Sequence, residues 1–239
     1  MKPVTCNRVP CGDHHVQEFG NIGVRLSKLV QLRLTLAYIS KLTGTNLFNY
    51  PSRAMSSPST QKVYVAVIGV GLIGTEFITQ LLNLPSSLKT LFSLISITSS
   101  KHTLFSPNDP ITDIKSWKSN LIASSASPDL TRLTRDLISL ITPTQKVALV
   151  DNTSSEEIAA MYPAWLKAGI NVITPNKKAF SGQLELYQQI ENASEESGTR
   201  YLNEATVGAG LPVIRTLEDL VDTGDAVRYP LNQYRNGGR

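Results

Sequence analysis

The first segment that could do chemistry is Gly69-Val70-Gly71-Leu72-Ile73-Gly74. It follows the apolar run Val63–Ile68 and opens a helical pattern, the context in which a glycine loop cradles phosphates. Each glycine has its own task. Gly69 permits a tight turn, Gly71 lets the backbone approach a pyrophosphate, and Gly74 lets helix pack closely on strand. The helix N-terminus adds free N–H donors and the positive end of its dipole. This loop is read as a dinucleotide site.

The identity of the dinucleotide turns on the end of the second apolar run. An acidic residue about 20 positions beyond the glycine loop would hold the ribose hydroxyls of NAD. The chain instead reads Ile97-Thr98-Ser99-Ser100-Lys101-His102, without a carboxylate. Hydroxyls followed by a cation suit a 2′-phosphate, which favours NADP over NAD and makes Ser99 and Lys101 candidate contacts. Ordinary loop residues are an equal alternative.

Three further polar segments follow. Asp151-Asn152-Thr153-Ser154-Ser155 ends a strand-like run, and ligands of parallel sheets bind outside the carboxyl ends of strands. The side chains of the whole run, Asp151 to Ser155, are therefore expected to face the cofactor crevice, with Asn152, Thr153 and Ser154 as candidate contacts and Ser154 and Glu157 also forming a capping box. Thr174-Pro175-Asn176-Lys177-Lys178 ends the next strand. Lys177 could set a positive charge near a nicotinamide and a carbonyl or carboxylate substrate. A lysine pair alone more often marks a solvated surface. The last segment runs Asn203-Glu204-Ala205-Thr206-Val207-Gly208-Ala209-Gly210-Leu211-Pro212. Its carboxylate and carbonyls could cradle a cation, although a plain turn into a helix is the simpler reading.

The elements that must position these segments alternate in type. Strands are expected at Val63–Ile68, Phe92–Thr98, Lys146–Val150 and Ile170–Thr174, with a short extended piece at Tyr201–Glu204. A helix with Ile73, Phe77, Leu81 and Leu84 on one stripe follows the glycine loop and stops at Pro85. Further helices are expected over Asp129–Ile141, from Ser154 to Gly169, from about Ser181 to Ser197, and over Pro212–Thr223. Residues 99–128, rich in Ser, Pro and Asn, read as a long irregular connection. Alternation of this kind predicts an α/β, Rossmann-like doubly wound parallel sheet, followed by only the beginning of a second domain.

Composition narrows the function classes. Of 239 residues, 41% are hydrophobic and 18% charged, enough apolar material for a core. No stretch of about 18 uninterrupted apolar residues suggests a membrane span. The net charge of +4 comes from residues 1–60, which hold seven basic and two acidic residues. The basic pI therefore describes a leader and argues for no nucleic-acid partner. Cys6 and Cys11 are the only cysteines, so the main body holds no disulfide scaffold or thiolate nucleophile. Together with His14 and His15 they match no common zinc spacing.

The four segments VAVIGVGLIG, LVDNTSS, VITPNKKAFS and EATVGAGLPVI, in that order, resemble homoserine dehydrogenase, most closely the fungal form. The resemblance covers roughly Lys62 to Asp225. It implies NAD(P)H-dependent interconversion of aspartate 4-semialdehyde and homoserine, in threonine and methionine biosynthesis, by a homodimer when the full-length protein is present. It places cofactor contacts on the glycine loop with Leu72 and Ile73, on Thr153, and on Pro175 and Lys177. It also implies a sodium-type monovalent cation on Glu204 and the carbonyls of Val207, Ala209 and Leu211.

Departures lie at both ends. Residues 1–54 are expected to be a basic leader, either disordered or an extension upstream of a natural start at Met55. Their alternation from Val30 to Tyr38 does not suit a mitochondrial transit helix, so a cytoplasmic location is favoured, with mitochondrial targeting by this basic, acid-poor leader as the alternative. Residues 55–200 form the expected NAD(P)-binding domain, and 201–239 the start of a substrate domain. After Thr223-Gly224-Asp225 the chain leaves the family pattern. The family's catalytic lysine then has no counterpart, and the sequence expectation is little or no turnover. The alternative is a non-catalytic NAD(P)-binding fragment.

Overall fold

The computed structural model describes residues 62–208, 211 and 213–224. Outside them lie the Cys6/Cys11/His14/His15 group, the alternating stretch 30–38, Met55, Ala209, Pro212 and the segment after Gly224.

Six strands form one sheet: β1 (Lys62–Ile68), β2 (Phe92–Thr98), β3 (Thr103–Phe105), β4 (Gln145–Asp151), β5 (Ile170–Ile173) and β6 (Tyr201–Leu202). Their order is β3-β2-β1-β4-β5-β6. All neighbours are parallel except β2 and β3. The apolar run of β1 is explained by its central place. Val63, Val65 and Val67 enter one core, while Tyr64, Ala66 and Ile68 enter the other. A strand buried on both faces needs apolar residues at both parities.

The helices are α1 (Leu72–Leu82), α2 (Ser86–Lys89), α3 (Trp117–Ala123), α4 (Leu130–Ile138), α5 (Glu156–Ala159), α6 (Tyr162–Lys167), α7 (Lys178–Ser181), α8 (Leu184–Ser197) and α9 (Val213–Asp222). Phe77, Ile78 and Leu81 of α1 join Trp117 and Leu121 of α3 on one face of the sheet. Leu133 and Leu137 of α4, Trp165 and Leu166 of α6, and Ile190 of α8 cover the other. The indole of Trp165 donates to Thr134 Oγ1 at 2.7 Å, tying α6 to α4. This is the doubly wound arrangement the sequence predicts, with one antiparallel edge strand. The connections leaving β1 and β4 run to opposite sides, so a crevice opens between their carboxyl ends.

Four expectations are corrected. Residues 99–128 are not an irregular connection, because β3 pairs with β2 and α3 buries Trp117 and Leu121. The expected helix from Ser154 to Gly169 is two short helices, with Pro163 in the first turn of α6. Its cap is Ser155 and not Ser154: Ser155 Oγ accepts the N–H of Ile158 at 3.3 Å. The helix expected from about Ser181 starts at Leu184, after the separate turn α7. It ends as expected at Gly198, whose φ of 67° closes it in the left-handed region.

Candidate functional site

The carboxyl ends of β1, β2 and β4 enclose a cleft of about 780 Å³, lined by Gly69, Gly71, Ser99, Asn152, Thr153 and Ser154 among others. The glycine loop forms its floor through close backbone contacts. Gly69 turns with φ of 87° and donates its N–H to the Thr98 carbonyl at 2.9 Å. A Cβ there would lie 2.8 Å from the Thr153 methyl. A Cβ on Gly74 would meet the Gly69 carbonyl oxygen at 1.9 Å, so helix α1 can sit this close to the turn only with glycine. Gly71 is different. It is exposed at the head of α1, and a Cβ there meets nothing within 4 Å. The tight packing of two glycines thus presents the third to open space beside the first N–H groups of a helix.

Opposite the loop, the N–H of Asn152 donates to the Ile68 carbonyl at 2.8 Å, locking the β1 and β4 ends together. Its side-chain Nδ2 is buried at the cleft without a hydrogen-bond partner among the described residues. A buried donor left unpaired is costly and calls for a ligand or water. Glycine loop, helix N-terminus and unpaired donor all fit a pyrophosphate-bearing dinucleotide.

The ends of β4 and β5 are joined by a buried polar cluster. Asp151 is fully buried. Its carboxylate accepts from Thr153 N at 2.8 Å, from the Tyr162 hydroxyl, and from Asn176 Nδ2 at 3.1 Å. Thr174 Oγ1 donates to the Asp151 carbonyl at 2.9 Å and accepts Asn176 N at 2.8 Å. Asn176 also donates to the Ser155 carbonyl at 2.9 Å and accepts Lys178 N at 3.0 Å. Burial, reinforced by the neighbouring Asp151 charge, pushes the Tyr162 hydroxyl far above the ordinary tyrosine range, so it remains a donor.

The expected site residues divide into groups. Gly69, Gly71, Ser99, Asn152, Thr153 and Ser154 line the cleft. Gly74 packs beneath it, Ile73 is half-buried, and Leu72 is 67% exposed at the start of α1. The Ser99 hydroxyl is engaged in its own turn, accepting His102 N at 2.9 Å and Lys101 N at 3.2 Å. Lys101 is exposed and stands outside the cleft lining. Pro175 is half-buried and Lys177 exposed, both on the turn beyond β5.

Glu204 is buried, and its Oε1 accepts Ile214 N at 3.0 Å, so this carboxylate caps α9. Val207 and Leu211 are exposed, and the Leu211 carbonyl accepts Val213 N at 2.8 Å. Glu204 Oε1 and the Leu211 carbonyl thus both accept backbone N–H groups at the start of α9. Among the described residues there is no cluster of three or more His, Cys, Asp or Glu that could hold a metal. No helix there is long and apolar enough to cross a membrane.

The expectation that the Asp151 side chain faces the crevice is corrected, because it is fully buried and bonded to Asn176 and Tyr162. Sequence reasoning missed the role of these three residues as a cluster. Asp151 and Asn176 carried a signal, since polar residues end adjacent parallel strands. Tyr162, eleven residues past Asp151, carried none.

Fold and cleft together define a dinucleotide-binding α/β domain. The family profile described as homoserine dehydrogenase, NAD binding domain, matches residues 69–204. The chain belongs to the homoserine dehydrogenase family. Homoserine dehydrogenase of Emericella nidulans is 44% identical over 181 residues, covering 72% of this chain and 46% of the relative. A crystal structure of a Candida auris protein of unknown function is 39% identical with a TM-score of 0.62, over 70% of this chain and 45% of that one. A hyperthermophilic archaeal homoserine dehydrogenase solved with NADPH is 26% identical with a TM-score of 0.52, covering 68% and 50% of the two chains. The chain thus spans about half the length of the curated relatives it matches.

Proposed function

We propose that this chain carries the nucleotide-binding part of a homoserine dehydrogenase and binds NADP, or NAD, in the β1–β4 cleft, serving the interconversion of L-aspartate 4-semialdehyde and L-homoserine. The observation that carries this reading is the Gly74–Gly69 contact, which leaves Gly71 open beside the helix N-terminus. When bound, the nicotinamide supplies hydride chemistry. The N–H groups at the head of α1 would hold the pyrophosphate, aided by the helix dipole. Asn152 Nδ2 offers a donor with no competing partner among the described residues. Thr153 presents a half-buried side chain to the cleft, and Lys177 supplies a cation on the β5 side. Ser99 and Lys101 are the contacts proposed for a 2′-phosphate. Among the described residues no side chain is assigned to proton transfer.

A monovalent cation, sodium by preference, is proposed on Glu204 with the carbonyls of Val207, Ala209 and Leu211. Its test is thermal unfolding in sodium against tetramethylammonium chloride. The expected result is a sodium-specific rise in Tm that Glu204→Gln removes, and equal values in the two salts would end the proposal.

Titration with NADPH and with NADH, followed by a homoserine oxidation assay, tests the main reading. Saturable binding is the expected result, and with no described side chain assigned to proton transfer, homoserine-dependent turnover by this chain alone is expected to be weak or absent. Binding of neither dinucleotide would overturn the reading, and strong turnover would contradict the expectation that this chain carries only the nucleotide-binding part.

A further inference from the structure

We propose that Asp151, Tyr162 and Asn176 are positioning residues for the nicotinamide half of the dinucleotide, fixing the Thr153 loop and the Lys177 turn as one unit. The inference rests on the dinucleotide reading above. Direction follows from the fold. A pyrophosphate on the glycine loop sends one ribose toward the end of β2, so the other half must run across the ends of β4 and β5. Those ends are where the buried cluster sits.

Its bonds reach outward to both loops. Asp151 Oδ1 takes the N–H of Thr153, and Thr153 Oγ1 in turn accepts Ser155 N at 3.2 Å. Asn176 takes the N–H of Lys178 and donates to the Ser155 carbonyl. Lys177 is therefore bracketed. The residue before it is 2% exposed, the residue after it is bonded to Asn176, and its own carbonyl accepts Phe180 N at 3.0 Å and Ser181 N at 2.9 Å. Its side chain alone is left free in solvent, with its backbone origin fixed.

A purely structural cluster would be an expensive choice, since well-packed apolar residues stabilise a core as well or better. A network that aligns two loops has a different use. Groups that set the geometry of a site need their own support, because small displacements of the contacting residues weaken binding. Tyr162 completes the set. Its hydroxyl donates to Asp151 and lies 3.0 Å from Thr174 Oγ1, while its ring packs against Trp165 and Tyr201.

The test compares dinucleotides with their nicotinamide-free counterparts. The full chain and its Asn176→Ser variant are titrated with NADPH and NADH, and with 2′-phospho-ADP-ribose and ADP-ribose. The expected result is about tenfold weaker dinucleotide binding, as for one lost buried partner, with the nicotinamide-free ligands unchanged. Lys177→Ala added to Asn176→Ser should cost less than the sum of the two single changes. Tyr162→Phe keeps the ring packing and should shift affinity in the same direction by a smaller factor. This second variant retains the test if Asn176→Ser does not fold. Equal losses for both ligand types, or no loss in either, would overturn the positioning role. A wild-type chain that binds none of the four ligands would instead bring down the dinucleotide reading itself.

Discussion

The three glycines of the loop divide the cost of a side chain in different ways. A Cβ on Gly74 collides with the backbone oxygen of Gly69, which cannot swing away as a flexible side chain would. Gly74→Ala is expected to lose about 3 kcal/mol or more, as an overpacked site forces strand and helix apart. A Cβ on Gly71 touches nothing, and its φ of −65° suits any residue. Gly71→Ala should therefore stay within about 0.5 kcal/mol of the parent. Chemical denaturation of the two variants checks both values, and equal destabilisation would contradict this division. The sequence alone gives these roles from spacing, because each glycine answers to a local backbone demand. The buried Asp151–Tyr162–Asn176 cluster was not legible in that way. Its bonds span 11 to 25 positions, and no periodicity records such a pairing.

The regular patterns of β1 and α1 matched their expectations, and the short β5 and β6 fell where expected, but the elements within residues 99–128 did not show in the sequence. The apolar run of β1 and the stripe of α1 are each set by burial over several residues. β3 has three residues and α3 has seven, too few for a period to stand out from a Ser- and Pro-rich stretch. They form because tertiary partners exist: Ser96 to Thr98 of β2 pair with β3, and the core accepts Trp117. The cap of α5 shows the same limit at one residue's resolution. Ser154 and Ser155 are equally good capping types, and the backbone selects Ser155. Ser155→Ala is expected to cost about 1 kcal/mol, the usual loss of a cap, while Ser154→Ala should leave stability unchanged. Thermal unfolding of the pair decides, and the reverse order would show that the cap lies one residue earlier.

At the scale of the whole molecule, two cores flank one sheet, and the site lies where its topology reverses. The sheet's rigidity comes from residues buried on both faces, such as Val65 and Leu149. Loops at the strand ends are then free to carry polar chemistry without unsettling the core. Helix α9 departs from that economy, with Leu220 39% and Val221 59% exposed. The rest of the molecular design depends on the cleft being a dinucleotide site. The most direct measurement is the affinity of the wild-type chain and of Gly71→Ala for NADPH and NADH, with Tm recorded alongside. The expected result is saturable binding by the wild type, a Tm that rises with dinucleotide concentration, and at least about tenfold weaker binding by Gly71→Ala at unchanged intrinsic stability. A wild type that binds neither dinucleotide, or a Gly71→Ala variant that binds as well as its parent, would contradict the assignment of this cleft.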